Sequence, residues 1–304
     1  MDEACTVSIE TSLPVYAHLH DLMSGYQLKD LVNVSPEAFK KRIHGFLNLR
    51  DYAMEGFEDP TKQEPLSVDF HWGHHHDFGE FAVPGRMCKH HMSMIAVFVD
   101  ELQALPRSLK GLRVLDVGCY TGGASLLLCA MGAEVIAIEE TRKYAECLDY
   151  LRYAFNVEKL EVRHLSLYDC TSPELQDWFD IVLCAGVLHH LSDPKLALRI
   201  MFNLLKDGGK CLLETKATAR EHLMEFCSAW SKRERGNGDD PAGWNSLLFT
   251  PEQLAGMMTD VGYEVIQPCR VIKYKTPEGR LFAVGRRNSH VDMRRAGLSV
   301  RTVR

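Results

Sequence analysis

Residues 114–123 read VLDVGCYTGG, and this stretch decides the fold of the chain. An apolar run ends in a glycine-rich turn, and the apolar segment ASLLLCA that follows has the composition of a buried helix. Glycine lets the backbone approach a ligand closely, and Asp116 stands where the strand ends, so its carboxylate can receive a positively charged ligand group. The pattern predicts a strand, a tight turn and a helix that together bind a ligand.

From residue 113 onward, short apolar segments alternate with amphipathic ones, which is typical of a parallel sheet covered by helices. Thr250-Pro251-Glu252 predicts a helix start because a capping residue precedes proline, and the turn at 276–279 makes the last two strands antiparallel. We therefore predict a doubly wound α/β domain. The predicted strands are Arg113–Val117, Glu134–Glu139, Leu160–His164, Asp180–Ala185, Gly209–Thr215, Tyr263–Ile266 and Arg280–Gly285.

The first 107 residues lack this alternation and are predicted to form a mainly helical extension. Ser35-Pro36-Glu37 has the form of a helix start, and Met92–Leu105 reads as another helix. The stretch between them at 69–91 is rich in histidine, aromatic residues and glycine, which predicts loop. The predicted boundaries are 1–107 for the extension and lid, 108–288 for the main domain, 217–248 for an insertion within it and 289–304 for a basic tail.

Composition narrows the class of protein. With 304 residues, 46% of them hydrophobic, the chain can bury a full core, and no apolar run is long enough for a membrane helix. The acidic start Met1-Asp2-Glu3 is unlike a signal peptide, so we expect a cytoplasmic protein. A net charge of −6 disfavours a nucleic-acid partner without excluding one, and a homo-oligomer stays open. The ten cysteines form no CxxC pair, which indicates reduced, structural thiols.

A second acidic residue strengthens the interpretation of the turn as a ligand site. Glu139 ends the next predicted strand, 21 residues beyond Gly118, where a carboxylate accepts hydrogen bonds from both hydroxyls of a ribose. A nicotinamide dinucleotide is the competing ligand. Residues 117–123 depart from the GxGxxG fingerprint, however, and Asp116 would have no natural partner in a pyrophosphate.

Residues 114–123 resemble motif I of class I methyltransferases, with Tyr120 in the place of the third glycine, and residues 180–190 resemble motif IV. The resemblance implies a seven-stranded, Rossmann-like fold and S-adenosyl-L-methionine as the cofactor. It also implies which residues hold that cofactor. They are Asp116, Gly118, Cys119, Tyr120, Gly122, Glu139, Ser166, Leu167, Ala185 and Arg86.

Three further segments, 186–190, 212–215 and 245–251, resemble the family of the bacterial wobble-uridine tRNA carboxymethyltransferase. That family holds the extra carboxylate of its cofactor with a basic, tryptophan-rich segment ahead of motif I. Here residues 81–90 keep Arg86 and Lys89 but lack the tryptophans, so ordinary methyl transfer is the prediction. The overall size and organisation are also similar to those of bacterial methionine S-methyltransferases.

Candidate residues for the acceptor surround these motifs. Methyl transfer from a sulfonium is an in-line displacement, so the protein mainly aligns the nucleophile and excludes water. His189 beside motif IV, Glu214 at the end of the fifth strand and His71 are the candidate catalytic residues. The histidine-rich stretch and the insertion are the candidate lids. Their predicted substrate-binding residues are Trp72, His76, Arg86, Trp230, Trp244 and Asn245.

The run His71–Asp77 also invites a metal interpretation. Consecutive histidines point in different directions on a regular backbone, and the implied methyl transfer needs no metal. We therefore expect no metal site.

The sequence predicts a methyltransferase with a small, amino-acid-like acceptor, and methionine sulfur is the best single candidate. Aromatic side chains that can enclose a small ligand and arginines suited to a carboxylate favour this acceptor. A tRNA wobble-uridine (carboxy)methyltransferase is the first alternative, favoured by the resemblance and disfavoured by the acidity of the chain. A non-catalytic, cofactor-binding regulatory protein is the second, disfavoured by the presence of Asp116 and Glu139.

Overall fold

The computed structural model describes residues 13–49, 70–218, 225–227, 246–272 and 280–288. Three of the predicted substrate-binding residues, Trp230, Trp244 and Asn245, lie outside the described residues, as do most of the insertion and the basic tail. The remaining predicted site residues all fall within them.

A seven-stranded mixed sheet forms the centre of the molecule. The strands of the described residues are β1 (His76–Asp77), β2 (Ala82–Val83), β3 (Arg113–Val117), β4 (Glu134–Glu139), β5 (Leu160–His164), β6 (Phe179–Ala185), β7 (Leu205–Lys216), β8 (Glu225–Cys227), β9 (Ser246–Leu248), β10 (Tyr263–Ile272) and β11 (Arg280–Arg287). The sheet has the order β10-β11-β7-β6-β3-β4-β5. Strands β3 to β7 pair in parallel, and β11 is antiparallel to both β7 and β10. This confirms the predicted fold class.

Helices cover both faces of the sheet. The helices of the described residues are α1 (Tyr16–Met23), α2 (Pro36–Leu47), α3 (His90–Ala96), α4 (Gly123–Ala130), α5 (Arg142–Ala154), α6 (Pro194–Leu204) and α7 (Pro251–Val261). Two of them begin at the predicted caps. The side chain of Ser35 accepts from the backbone N–H of Ala38, and Thr250 forms a capping box with Gln253. Within the described ranges, no helix is both long and apolar enough to cross a membrane.

The predicted helix over Met92–Leu105 is wrong at both ends. It begins two residues earlier, at His90, and gives way after Ala96 to a π-helical turn over Val97–Glu101. Gln103 then has a positive φ of 49°, which a helix does not accommodate. Because the apolar residues of the π-helical turn are buried like those of a helix, the sequence pattern does not reveal where the helix ends.

The N-terminal helices share one hydrophobic core with the sheet and its helices. Phe39 of α2 packs edge-on against Phe78 and Phe155, with 5.0 and 5.5 Å between ring centroids. The hydroxyl of Tyr26 donates to the carbonyl of Leu126 on α4 at 2.9 Å. Because Phe78 belongs to this packing, the N-terminal helices hold this part of the histidine-rich stretch in place.

Candidate functional site

The glycine-rich turn joins β3 to α4 at the carboxyl end of the parallel strands. Gly118, Tyr120 and Gly122 have positive φ angles of 68°, 55° and 83°, a region that favours glycine. A Cβ on Gly118 would lie 2.4 Å from Cγ2 of Val187, and one on Gly122 would lie 2.0 Å from Cδ1 of Leu148. Both positions therefore require glycine, which keeps backbone atoms within reach of a ligand.

Backbone hydrogen bonds anchor the turn to β4. The N–H groups of Gly118 and Cys119 both donate to the carbonyl of Ile138, at 2.9 and 3.1 Å. Cys119 is 3% exposed, so its thiol belongs to the core. Any contact of this residue with a ligand would use its backbone.

Glu139 ties the turn to the end of β4 through its side chain. It is 6% exposed; Oε2 accepts a hydrogen bond from the backbone N–H of Tyr120 and Oε1 one from that of Thr141, both at 2.9 Å. Burial raises the pKa of Glu139 to about 7, although these two backbone bonds act to lower it. Each carboxylate oxygen can accept a second hydrogen bond, so the side chain fits the two hydroxyls of a ribose.

Asp116 is the second carboxylate of the site. It is 3% exposed, and Oδ2 accepts a 2.6 Å hydrogen bond from the hydroxyl of Ser125 on α4. Burial raises the pKa of Asp116 to about 6, and the bond from Ser125 opposes this shift. A buried carboxylate whose ionised form is disfavoured gains from a neighbouring cation. Asp116 therefore fits the ammonium group of an amino-acid ligand.

The histidine segment, residues 70–78, lies directly on the turn. The backbone N–H groups of Gly73 and His74 both donate to Oγ1 of Thr121, at 2.9 and 3.3 Å. A Cβ on Gly73 would lie 2.1 Å from Cδ1 of Tyr120. The ring of Tyr120 itself packs edge-on against Tyr144, with 4.3 Å between ring centroids. The side chain that replaces the third glycine of the motif thus supports the histidine segment.

The predicted substrate-binding residues of this segment are buried in it. Trp72 is 4% exposed and His76 3% exposed, and Nε1 of Trp72 donates to Nδ1 of His76 at 3.1 Å. His71 donates its backbone N–H to the hydroxyl of Tyr144 at 3.4 Å. Arg86 is exposed, and its backbone N–H donates to the carbonyl of Trp72. Contact of these side chains with an acceptor stays a prediction.

Two more of the residues implied to hold the cofactor, Ser166 and Leu167, follow β5 beside Glu139. Leu165 donates its backbone N–H to the carbonyl of Glu139 at 3.0 Å. Ser166 then precedes a short 3-10 turn over Leu167–Asp169, in which Leu167 is 4% exposed. The structure therefore brings Ser166 and Leu167 to the same edge of the sheet as Glu139.

The predicted catalytic residues of the main domain lie at the carboxyl ends of β6 and β7. Ala185, at the end of β6, pairs with Glu214 of β7. His189 is 2% exposed, and its Nδ1 lies 3.1 Å from Oγ1 of Thr215. The two strands are neighbours in the sheet, so Ala185, His189 and Glu214 share one edge of it. This edge is where an open α/β sheet places its ligand.

Glu214 is held in an ion pair. Its side chain is fully buried, and Arg280, at the start of β11, donates Nε and Nη2 to its two carboxylate oxygens. Burial alone would raise the pKa of Glu214, but the charge and hydrogen bonds of Arg280 outweigh burial and hold the pKa well below its usual range. Nε2 of His90 lies 3.6 Å from the same carboxylate. The geometry therefore favours a positioning role for Glu214 over the predicted catalytic one.

Arg280→Met is expected to lower the free energy of unfolding by about 3–5 kcal/mol, because it leaves Glu214 as a buried charge without its main partner. Urea denaturation measures the loss. The double variant Arg280→Met/Glu214→Leu should recover most of it. Arg286→Met on the same strand is the matched control, since Arg286 and its partner Glu264 are 43% and 46% exposed and should contribute at most about 1 kcal/mol. An equally small loss for Arg280→Met would contradict the importance of the buried pair.

In the part of the chain that the structure describes, no group of three or more His, Cys, Asp or Glu side chains is arranged to hold a metal ion. The eight cysteines whose side chains are described are free thiols.

A family model described as a methyltransferase domain matches residues 89–268. The match covers more than half of the chain and includes the glycine-rich turn, Glu139 and the ends of β6 and β7. The chain belongs to this methyltransferase family. Membership confirms the predicted enzyme class and S-adenosyl-L-methionine as the cofactor of the family.

Curated relatives match the same region. The chain is 30% identical over 182 residues to the ubiquinone biosynthesis O-methyltransferase of Psychrobacter arcticus. This alignment covers 55% of this chain and 65% of that protein. The protein of the same name from Pseudomonas putida (strain F1) is 32% identical over 164 residues, covering 52% and 67%. The chain spans 46% of the length of a Pseudomonas fluorescens relative. These matches support the class I methyltransferase resemblance, and the finer wobble-uridine family stays a prediction.

Solved structures share the fold. One is the N-terminal domain of EvdMO1, determined in the presence of S-adenosylhomocysteine (SAH) and D-fucose. It has a TM-score of 0.54 and 15% identity, and the match covers 84% of this chain and 98% of that one. The [4+2]-cyclase SpnF has a TM-score of 0.51 and 17% identity, covering 65% and 83%. Similarity at this level shows the class I fold alone. Because one of these proteins is named a cyclase, the fold does not decide the reaction.

Proposed function

We propose that this protein transfers a methyl group from S-adenosyl-L-methionine to a hydroxyl oxygen of a small molecule. The observation that carries the proposal is the pair of buried carboxylates, Asp116 and Glu139, beside a turn that requires glycine at two positions. Their raised pKa values suit a ligand that offers both an ammonium group and hydrogen-bond donors. An amino acid joined to a ribonucleoside offers both, as the cofactor of the family does.

The residues of the site act mainly by alignment. When bound, the cofactor supplies an electrophilic methyl group on a sulfonium sulfur. Glu139 would hold the ribose hydroxyls, Asp116 the ammonium group, and Ser166 and Leu167 would border the adenine. The histidine segment, which rests on the turn through Thr121, would exclude water and so strengthen each of these polar contacts.

An oxygen acceptor requires a base. Its hydroxyl must give up a proton while the oxygen–carbon bond forms, the carbon–sulfur bond breaks and the electron pair of that bond goes to sulfur. His189 is our candidate: the contact of its Nδ1 with Oγ1 of Thr215 orients the ring at the carboxyl ends of β6 and β7, and an imidazole can take up a proton. Glu214 is too weak a base for this role, because Arg280 stabilises its ionised form.

Methionine sulfur, the acceptor predicted from the sequence, has less support. A free amino acid needs a cation for its carboxylate. Arg280, which lies at this edge of the sheet, is already paired with Glu214, and Arg86, the arginine predicted for this role, is exposed. The similar proteins are named O-methyltransferases, which supports an oxygen acceptor here. A tRNA acceptor is supported by the resemblance in sequence and is disfavoured by the net charge of −6.

Two measurements test this proposal. Calorimetry should show binding of S-adenosylhomocysteine (SAH) in the micromolar range. Mass spectrometry should then find a methyl ether when the protein and S-adenosyl-L-methionine are incubated with 3,4-dihydroxybenzoate and related phenols, with free amino acids and with total tRNA in separate reactions. Methylated methionine or a methylated nucleoside without any methyl ether would replace the oxygen acceptor. Failure to bind SAH would contradict the function itself.

His189→Gln should lower the rate of methyl ether formation by about 10²-fold, because the base is lost. Its effect on the affinity for SAH should be small, which separates this role from cofactor binding. His18→Gln is the matched control, since His18 is an exposed histidine of α1 and should leave the rate unchanged. A rate within about twofold of the wild type for His189→Gln would assign the base to another residue.

A further inference from the structure

A cluster of histidines lies where the histidine segment meets α3. His91 is at its centre: its ring centroid is 4.6 Å from that of His74 and 6.5 Å from that of His76. His75 and His90 are close enough to influence the same ring electrostatically. Both ring nitrogens of His91 and Nε2 of His76 are buried without a hydrogen-bond partner in the described part of the chain. Buried polar atoms in this state are rare and call for an explanation.

Burial keeps these imidazoles neutral. It lowers the pKa of His76 to about 4 and that of His91 well below its usual value, and the neighbouring histidines lower the pKa of His91 further. Among the described residues, the other titratable or charged groups around the cluster are His20 of α1, Tyr26, Asp77 of β1, Lys89 before α3, Tyr120 of the turn, and Glu214 beside His90. Burial and the charge of Lys89 also lower the pKa of His75, against the effect of Asp77.

The cluster is joined directly to the glycine-rich turn. His74, whose ring contacts that of His91, donates its backbone N–H to Thr121, and a Cβ on Gly123 would lie 2.5 Å from its ring. A cavity of about 80 Å³ borders His76 and His91. Such a cavity is large enough for water, so protons can reach both rings. Charging these rings would push them apart and move the histidine segment off the turn.

We propose that His91 is a positioning residue for the cofactor site and acts with His76 as a pH-sensitive latch, which holds the histidine segment on the turn when neutral and releases it when protonated. The inference rests on the proposed function, because the affinity for the cofactor is what the latch would control.

The direction of the pH effect follows from proton linkage. With the segment released, the imidazoles have an ordinary pKa of about 6.5, so the released form binds more protons than the closed one. The contribution of these histidines to closure is therefore full above about pH 7 and is lost progressively as the pH falls below 6.5. At pH 5.5 each histidine lowers the equilibrium constant for closure of the segment by about 10-fold.

The first test is the affinity of the full-length protein for SAH, measured by calorimetry at pH 7.5 and 5.5. Asp116 and Glu139 titrate in the same range. The informative quantity is therefore the dissociation constant at pH 5.5 divided by that at pH 7.5, compared between variants. His91→Phe and His91→Gln both remove the titrating ring, and each should lower this ratio by up to about 10-fold relative to the wild type. His18→Gln, at an exposed position that does not border the cavity, should keep the wild-type ratio. Equal ratios in all four proteins would overturn the latch.

The second test needs no variant and no ligand. Hydrogen exchange followed by mass spectrometry, corrected for the intrinsic effect of pH, should show less protection of residues 70–78 at pH 5.5 than at pH 7.5. Protection of β4, residues 134–139, should be kept and serves as the control. Unchanged protection of the histidine segment would overturn the latch even if the His91 variants fail to fold. Failure of the wild type to bind SAH at pH 7.5 would instead contradict the proposed function, and hydrogen exchange would still decide the latch.

Discussion

Glu139→Gln is expected to weaken the binding of SAH by about 100-fold at pH 7.5, because the two charge-assisted hydrogen bonds that we propose between Glu139 and a ribose would be lost or weakened. An amide has one acceptor oxygen, whereas the carboxylate already accepts the backbone N–H groups of Tyr120 and Thr141 with its two oxygens. Calorimetry measures the change. Glu134→Gln, at the other end of β4 and with a side chain 60% exposed, should bind SAH like the wild type. Wild-type affinity in Glu139→Gln would remove this residue from the site.

The same substitution should change how stability depends on pH. Burial raises the pKa of Glu139 to about 7 in the folded protein, whereas the unfolded chain has a value of about 4.3. The folded state holds the proton more tightly, so this residue makes the wild type less stable as the pH rises from about 4.3 to 7, by up to about 3 kcal/mol. Glutamine does not titrate. Urea denaturation should therefore show that, from pH 5 to pH 7.5, the unfolding free energy of Glu139→Gln rises relative to that of the wild type. A difference between the two proteins that is the same at both pH values would contradict the raised pKa.

Gly73→Val should reduce the affinity for SAH more than 100-fold while the sheet stays folded. A Cβ at this position would lie 2.1 Å from Cδ1 of Tyr120 and 2.6 Å from Oγ1 of Thr121, so the histidine segment could not rest on the turn. Overpacking of this kind costs about 1–3 kcal/mol, which circular dichroism and urea denaturation would register as destabilisation without loss of the fold. Calorimetry with SAH gives the affinity.

Two further variants identify the cause of that effect. Gly45→Ala is the control, because a Cβ there meets nothing within 4 Å, and it should bind SAH like the wild type. Gly73→Ala should bind weakly, and adding Tyr120→Gly should restore part of the affinity by removing the ring that stands in the way. If Gly73→Val binds SAH as tightly as Gly45→Ala, contact of the histidine segment with the turn does not contribute to the affinity for SAH.

The central strands could be predicted from the sequence because local patterns specify them. β3, β4 and β5 have the predicted bounds, since each is a short apolar run closed by a glycine, a charge or a turn. The helix caps at Ser35 and Thr250 were predictable for the same reason, because serine or threonine before proline acts within one turn of the helix. The positions of Asp116 and Glu139 at strand ends followed from these bounds.

The rest depends on contacts between distant parts of the chain. Arg280 stands 66 positions after Glu214 and reaches it because β11 pairs with β7, so the partner of a buried carboxylate was not visible locally. The contact of Gly73 with Tyr120 likewise joins the N-terminal extension to the turn. The sequence indicated that the histidine-rich stretch lies near the site, and the structure shows that much of its packing is with itself and with motif I.

The N-terminal helices have a consequence for how the chain is made. The hydroxyl of Tyr26 is bound by the carbonyl of Leu126, 100 positions later, and the backbone N–H of Val15 by Asp100, 85 positions later. At about 5–20 residues per second, a ribosome releases α1 roughly 5–20 seconds before the helix that covers it. During that interval the apolar faces of α1 and α2 have no sheet to pack on, and nascent chains in this state are open to aggregation and to chaperones. α1 and α2 therefore leave the ribosome before the sheet on which they pack, and they gain their structure after it.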